Sequence, residues 1–94
     1  MYLGLDIGGT KCLVAAAGDD GTPVRTVQAP TPVALEDGLD LLRRLMREVA
    51  AGGPVRGIGV AIGGPLDWRT GVVSPLHQPR WRNVPLKAML SEKW

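Results

Sequence analysis

Apolar and polar positions alternate with a short period at the start of the chain and a longer one in its middle. Tyr2 to Ile7 is a short, largely aliphatic run closed by Gly8-Gly9, the pattern of a buried strand. Lys11 to Ala17 is a second apolar run that ends in Gly18-Asp19-Asp20-Gly21. Asp-Gly between two strand-like runs predicts a hairpin. From Pro23 to Ala29, Val24, Thr26 and Gln28 alternate with Arg25, Val27 and Ala29. That predicts a third strand, half exposed and antiparallel to the second, so the opening is a three-stranded meander. Pro30-Thr31-Pro32 then breaks the sheet, because proline has no N–H for a ladder and restrains the residue before it.

The period changes at Leu35. Leu35, Leu39, Leu42, Leu45, Met46 and Val49 recur at three- and four-residue spacing and share one helix face. Glu36, Asp37 and Asp40 sit early while Arg43, Arg44 and Arg47 sit late, which suits the helix dipole. Gly38 weakens the helix by roughly 1 kcal/mol against alanine. Gly52-Gly53-Pro54 ends it. Val55 to Ile62 predicts a fourth, apolar strand, reached by a crossover, with Gly63-Gly64-Pro65 at its C-terminal end. Asp67 to Gly71 reads as a turn and Val72-Val73 as a short strand. Pro85 opens a short amphipathic helix, with proline at its first position. The fold class is α/β, a meander followed by a helix and a further strand in a mixed sheet. One sheet face is left poorly covered, so the chain reads as the front portion of a larger protein.

Composition narrows the function classes. Apolar residues are 45% and charged residues 21%, a globular balance that argues against disorder. Ninety-four residues make one domain. The net charge of +2 is too small to imply nucleic-acid binding. Its excess is local, since Arg80, Arg82, Lys87 and Lys93 face only Glu92 after Pro79. A lone cysteine, Cys12, excludes an internal disulfide and fits a reducing compartment. No apolar stretch is long enough to span a membrane, and Asp6 interrupts the N-terminal run, so no signal peptide is expected. The expectation is a cytoplasmic chain with neither membrane nor nucleic-acid partners.

The sharpest chemical feature is Leu5-Asp6-Ile7-Gly8-Gly9-Thr10-Lys11. Two glycines in a tight hairpin let backbone N–H groups approach an anion. Thr10 adds a hydroxyl, and Lys11 adds a point charge suited to phosphate. Asp6, at the end of a buried strand, suits a hydrated Mg²⁺, which takes carboxylate, phosphate oxygens and water. A plain hairpin, with Asp6 and Lys11 as a cross-strand ion pair, fits the same residues. The chain has no G-x-x-x-x-G-K-[ST], and no G-x-G-x-x-G leads into a helix, so neither a P-loop nor a dinucleotide fold is indicated.

With LGLDIGGTK near its start, then GIGVAIGGPLD, then PRWRNVPL, the chain resembles the beginning of the ROK family of bacterial sugar kinases and sugar-responsive repressors. The resemblance covers nearly the whole chain and implies the N-terminal lobe of the ribonuclease-H-like fold of actin, Hsp70 and hexokinase ATPases. It implies that Asp6, Gly8, Gly9, Thr10 and Lys11 form the first phosphate loop, facing the terminal phosphates of ATP and Mg²⁺. Gly64 and Pro65 match the loop whose backbone lies against the sugar, and Asn83 matches a Trp-x-Asn-x-Pro segment. His77 and Arg80 stand where members commonly carry Asn and Gly near the sugar cleft, which leaves the sugar open. The family's catalytic Asp, its structural zinc cysteines and its adenosine pocket come later than these residues. Dimers are common in the family, so a homo-oligomer is a further expectation.

Blander roles stand beside these. His77 between prolines suits a surface or packing residue, and Cys12 suits a buried, inert thiol. Trp81 suits a packing anchor, and Asp67 a turn. Three functions compete: an ATP-dependent hexose kinase, a sugar-sensing repressor, and a non-catalytic remnant. An intact DIGGTK, with no helix-turn-helix before Met1, favours the kinase. The 94 residues alone are expected to be inactive.

Overall fold

A computed structural model describes residues 1–63, 66–67, 69–73, 84–85 and 89–90. Strands β1 (Tyr2–Ile7), β2 (Lys11–Ala17) and β3 (Pro23–Pro30) come first, followed by helix α1 (Leu35–Ala50) and strand β4 (Gly57–Ile62). Three two-residue strands complete the order: β5 (Leu66–Asp67), β6 (Val72–Val73) and β7 (Val84–Pro85). The main sheet runs β3-β2-β1-β4. The meander is antiparallel throughout, and β4 joins parallel to β1. The expected mixed sheet is therefore present. The crossover through α1 carries the chain from one edge of the sheet to the other.

Alternation decides which face is core. Leu3, Leu5 and Ile7 point to one side of β1, and Cys12, Val14 and Ala16 to the same side of β2. The register sets Leu5 opposite Val14 and Ile7 opposite Cys12. Helix α1 covers this face with Leu39, Leu42, Leu45, Met46 and Val49, the stripe expected from the spacing. Leu41 and Ala50, off that stripe, are buried as well. The helix lies over β2 and β3, so β4 is only half covered. Val60, on the core-facing side opposite Leu5, remains 38% exposed. The fourth strand, expected from Val55, starts at Gly57 and forms an edge of this sheet. Tyr2, Gly4 and Asp6 project from the opposite face of β1 and are exposed, the uncovered face expected from the element count.

Turn chemistry follows local rules. At the β2–β3 hairpin, Gly21 is left-handed at φ 82° while Asp19 and Asp20 are not. The Gly21 N–H donates to the Gly18 carbonyl at 3.0 Å, and the Gly18 N–H donates to the Thr22 carbonyl at 3.1 Å. This is the longer hairpin loop closed by a left-handed glycine, not the two-residue form. Asp20 Oδ1 accepts the Thr22 N–H at 2.9 Å. That bond holds its carboxyl below the usual carboxylate range.

Helix α1 has no side-chain cap at Ala34, and Glu36 and Asp37 complement its N-terminal dipole instead. At the other end the chain turns left-handed at Ala51 (φ 49°), before the glycines expected to stop it, and Gly52 follows at φ 80°. Three of the last four carbonyls have donors: the Ala51 N–H donates to Arg47, the Gly53 N–H to Ala50, and Arg25 Nε to Val49 at 2.7 Å. Arg25 thus ties β3 to the negative end of the helix dipole.

The short strands form a second sheet in the order β5-β6-β7. Two expectations are corrected here. Asp67 lies in β5 opposite Val72, and Arg69, Thr70 and Gly71 are turn residues, with Gly71 at φ 70°. Pro85 lies in β7 opposite Val72 and does not start a helix. An outer strand tolerates proline because one of its sides needs no N–H donor. Met89 and Leu90 are helical, and Leu90 is buried in the main core. No described helix is long and apolar enough to cross a membrane.

Left-handed backbone at Ala51 costs energy that glycine avoids. Ala51→Gly is expected to stabilise the fold by about 0.5–1 kcal/mol, and Gly52→Ala to destabilise it by a similar amount. Urea denaturation checks both signs.

Candidate functional site

Parallel pairing of β1 with β4 fixes where the chemistry gathers. Ile7 stands opposite Ile62, so the two strands end at one edge of the sheet. The loop Gly8-Gly9-Thr10 leaves β1 there, and Gly63 leaves β4 beside it. In open α/β sheets the crevice outside the carboxyl ends of the strands is where ligands sit.

The loop is a tight reversal between β1 and β2. The Gly8 N–H donates to the Lys11 carbonyl at 3.0 Å. A Cβ on Gly8 would stand 3.0 Å from that same carbonyl oxygen, a backbone atom with little freedom to yield. Gly8 is therefore required by the closeness of the hairpin, and its amide is already engaged. The amides of Gly9 and Thr10 are different. Both residues are exposed, and neither N–H meets an acceptor among the described residues. Of the two glycines read as amide donors, only Gly9 offers a free one, and Thr10 supplies the other.

Asp6 and Lys11 flank this pair of amides. Both are exposed, and alternation puts both side chains on the uncovered face of the sheet. The register sets Asp6 opposite Leu13, so Lys11 is a diagonal neighbour and not a direct partner. Among the described residues the ion pairs are Arg43–Asp40 and Arg56–Asp19. The plain hairpin held by an Asp6–Lys11 pair is therefore not what the chain builds. The described residues hold no cluster of three or more potential metal ligands. A single unpaired carboxylate is nevertheless a suitable donor for Mg²⁺, which keeps most of its waters and takes phosphate oxygens.

The sequence marks Thr31 only as part of a proline-flanked sheet breaker, yet it is the residue that holds the loop from behind. Its hydroxyl donates to the Gly8 carbonyl at 2.7 Å, and its N–H donates to the Thr10 carbonyl at 3.0 Å. Cys12 Sγ lies 3.2 Å from the same hydroxyl oxygen. The thiol is wholly buried, as expected of an inert cysteine, and burial pushes its pKa above the ordinary 9.0, with the charge of Asp6 acting in the same direction. No spacing rule in the sequence links Thr31 to Gly8. A small hydroxyl residue between two prolines was the only available signal. Gly64, Pro65, His77, Arg80 and Asn83, and the tryptophans at 68, 81 and 94, lie outside the described residues.

Comparison with known proteins places this arrangement among relatives. The model of the ROK family matches residues 2–94. A glucokinase from Thermotoga maritima is 34% identical over 97 residues, covering 97% of this chain and 30% of that protein. A glucokinase from Streptomyces coelicolor is 27% identical over 87 residues, covering 93% of this chain and 27% of its own length. Among solved structures, a ROK family glucokinase from Streptomyces griseus, in complex with glucose and AMPPNP, superposes with a TM-score of 0.86 at 26% identity. That match covers 98% of this chain and 30% of the other. The chain thus spans less than a third of the length of these relatives.

The buried thiol gives a pH test of the loop's underside. Cys12 stays neutral when folded, and unfolding frees it to ionise. Its contribution is therefore fully present below about pH 9 and is lost as pH rises further. Urea denaturation at pH 8 and pH 10 is expected to show a fall in stability that Cys12→Ala reduces. At pH 8, iodoacetamide is expected to label Cys12 only as fast as the protein unfolds, read by mass spectrometry.

Proposed function

Because this chain belongs to the ROK family, we propose that the protein carrying it transfers the γ-phosphoryl group of ATP to a hexose hydroxyl, with residues 6–11 holding the terminal phosphates. The observation that carries this reading is the pair of amides at Gly9 and Thr10 that meet no acceptor among the described residues, flanked by Asp6 and Lys11, which form no ion pair among them. Main-chain N–H groups held in place cost no reorganisation when charge develops on a transferring phosphoryl group. Lys11 supplies a compact ammonium for the same oxygens, and the Thr10 hydroxyl is a third donor.

Asp6 would hold Mg²⁺ through its water shell, and the ion would neutralise phosphate charge. Gly8 acts here through its missing side chain, which lets the hairpin close. The family resemblance assigns the hexose to Gly64 and Pro65, which follow β4 in the sequence, and to His77. Glucose is the first sugar to test, because the named relatives are glucokinases and one of them was solved with glucose and AMPPNP. The group that takes the proton from the sugar hydroxyl lies beyond Trp94 on this reading.

Phosphoryl transfer by the full-length protein is measured as hexose-dependent ADP release. Asp6→Asn is expected to lower kcat about a hundredfold or more while glucose affinity by calorimetry stays the same. Residues 1–94 alone are expected to give no sugar-dependent turnover. A full-length protein that turns over no ATP with any hexose, yet shifts promoter DNA in a gel, would instead favour the repressor reading.

A further inference from the structure

We propose that Thr31 is a positioning residue that aims the loop amides at the nucleotide's terminal phosphates; this rests on the kinase reading of residues 6–11. Peptide units are planar and trans, so the carbonyl of one residue and the N–H of the next point in opposite directions. The Thr31 hydroxyl binds the Gly8 carbonyl at 2.7 Å. The N–H in that same peptide unit belongs to Gly9, so it is turned away from Thr31. The Thr31 N–H binds the Thr10 carbonyl at 3.0 Å and fixes the other end of the loop. One residue thus clamps both ends of the Gly8-Gly9-Thr10 reversal, and the free Gly9 and Thr10 amides lie between the clamped points.

The placement of Thr31 follows from its neighbours. Pro30 closes β3 opposite Lys11, at a position whose N side faces away from β2, so proline costs the ladder no donor there. The next hydrogen-bonded position is Thr31, one residue past the strand, whose N–H meets the Thr10 carbonyl. The hydroxyl then reaches past it to Gly8, and its oxygen contacts the buried Cys12 thiol at 3.2 Å. The side chain is half-buried under the loop and does not project from the exposed face, so it acts through the loop and not on the ligand.

The test uses the full-length protein with three substitutions: Thr31→Val, which keeps the shape and removes the hydroxyl; Thr31→Ser, which keeps the hydroxyl; and Cys12→Ala, which removes the thiol beside the hydroxyl oxygen but leaves both donations from Thr31 to the loop in place. Thr31→Val is expected to raise KM for ATP or lower kcat by roughly fivefold to tenfold, the effect of one net hydrogen bond, with glucose affinity unchanged. Thr31→Ser is expected to restore most of that loss, and Cys12→Ala to leave the ATP parameters within about twofold of wild type. Equal loss in the Val and Ser variants, or Thr31→Val with wild-type ATP parameters, overturns the proposal.

Amide hydrogen exchange supplies a readout that needs no ligand and no turnover. Loss of the clamp is expected to speed exchange at Gly8, whose N–H closes the hairpin, about tenfold in Thr31→Val and much less in Thr31→Ser. Unchanged exchange at Gly8 in Thr31→Val also overturns the proposal. A wild-type protein without hexose-dependent turnover overturns the kinase reading instead, and exchange at Gly8 still decides whether Thr31 holds the loop. Should Thr31→Val fail to fold, wild-type ATP parameters and exchange in Thr31→Ser support the clamp. A Ser variant with loosened Gly8 and impaired ATP use refutes the assignment to the hydroxyl.

Discussion

Burial of one face of the meander under α1 is the constraint on which the rest of the chain depends. A strand's side chains alternate, so a slip of one residue would turn Leu3, Leu5 and Ile7 outward and bring Gly4 and Asp6 into the core. Burying an ionised carboxylate without a partner costs several kcal/mol, and each exposed leucine forfeits about 1.5–3 kcal/mol. The register is therefore strongly specified. It places the reversal at Gly8 to Thr10, and puts Asp6 and Lys11 together on the exposed face.

The loop's chemistry depends on hydrogen bonds from behind more than on its own residues. Glycine permits many conformations, so a Gly-Gly turn by itself does not fix the direction of an amide. The Gly8–Lys11 bond and the two donations from Thr31 remove that freedom. What remains unengaged is a short run of amides beside one carboxylate and one ammonium. Preorganisation of this kind suits a highly charged ligand, since the donors need not reorient when the charge arrives.

The opposite face of the sheet is shaped by small side chains. Ala15, Gly4 and Gly59 lie side by side across β2, β1 and β4, with Leu13, Asp6 and Ala61 in the next row toward the loop. Tyr2 stands at the far end, with Arg56 over its ring at 6.0 Å. Asp6 thus has Leu13 on one side and only the small Ala61 on the other, and it is exposed.

Alternation and helical spacing were sufficient to read β1, β2, β3 and the buried stripe of α1 from the letters alone, because those periods report directly on which side of an element meets the core. The Gly8-Gly9 reversal between β1 and β2 was equally legible, and the Gly8–Lys11 bond closes it. The letters could not show that the Gly8 amide is engaged, that Thr31 clamps the loop, or that β4 pairs with β1 and brings Gly63 to the same edge. They also misplaced Pro85, which an outer strand accommodates as readily as a helix start. The Thr31 clamp and the pairing of β4 with β1 are contacts between residues far apart in the chain. Local pattern carries the propensity of a segment and the side it buries, whereas hydrogen-bond partners across twenty or more residues exist only once α1 has packed and the sheet order is set.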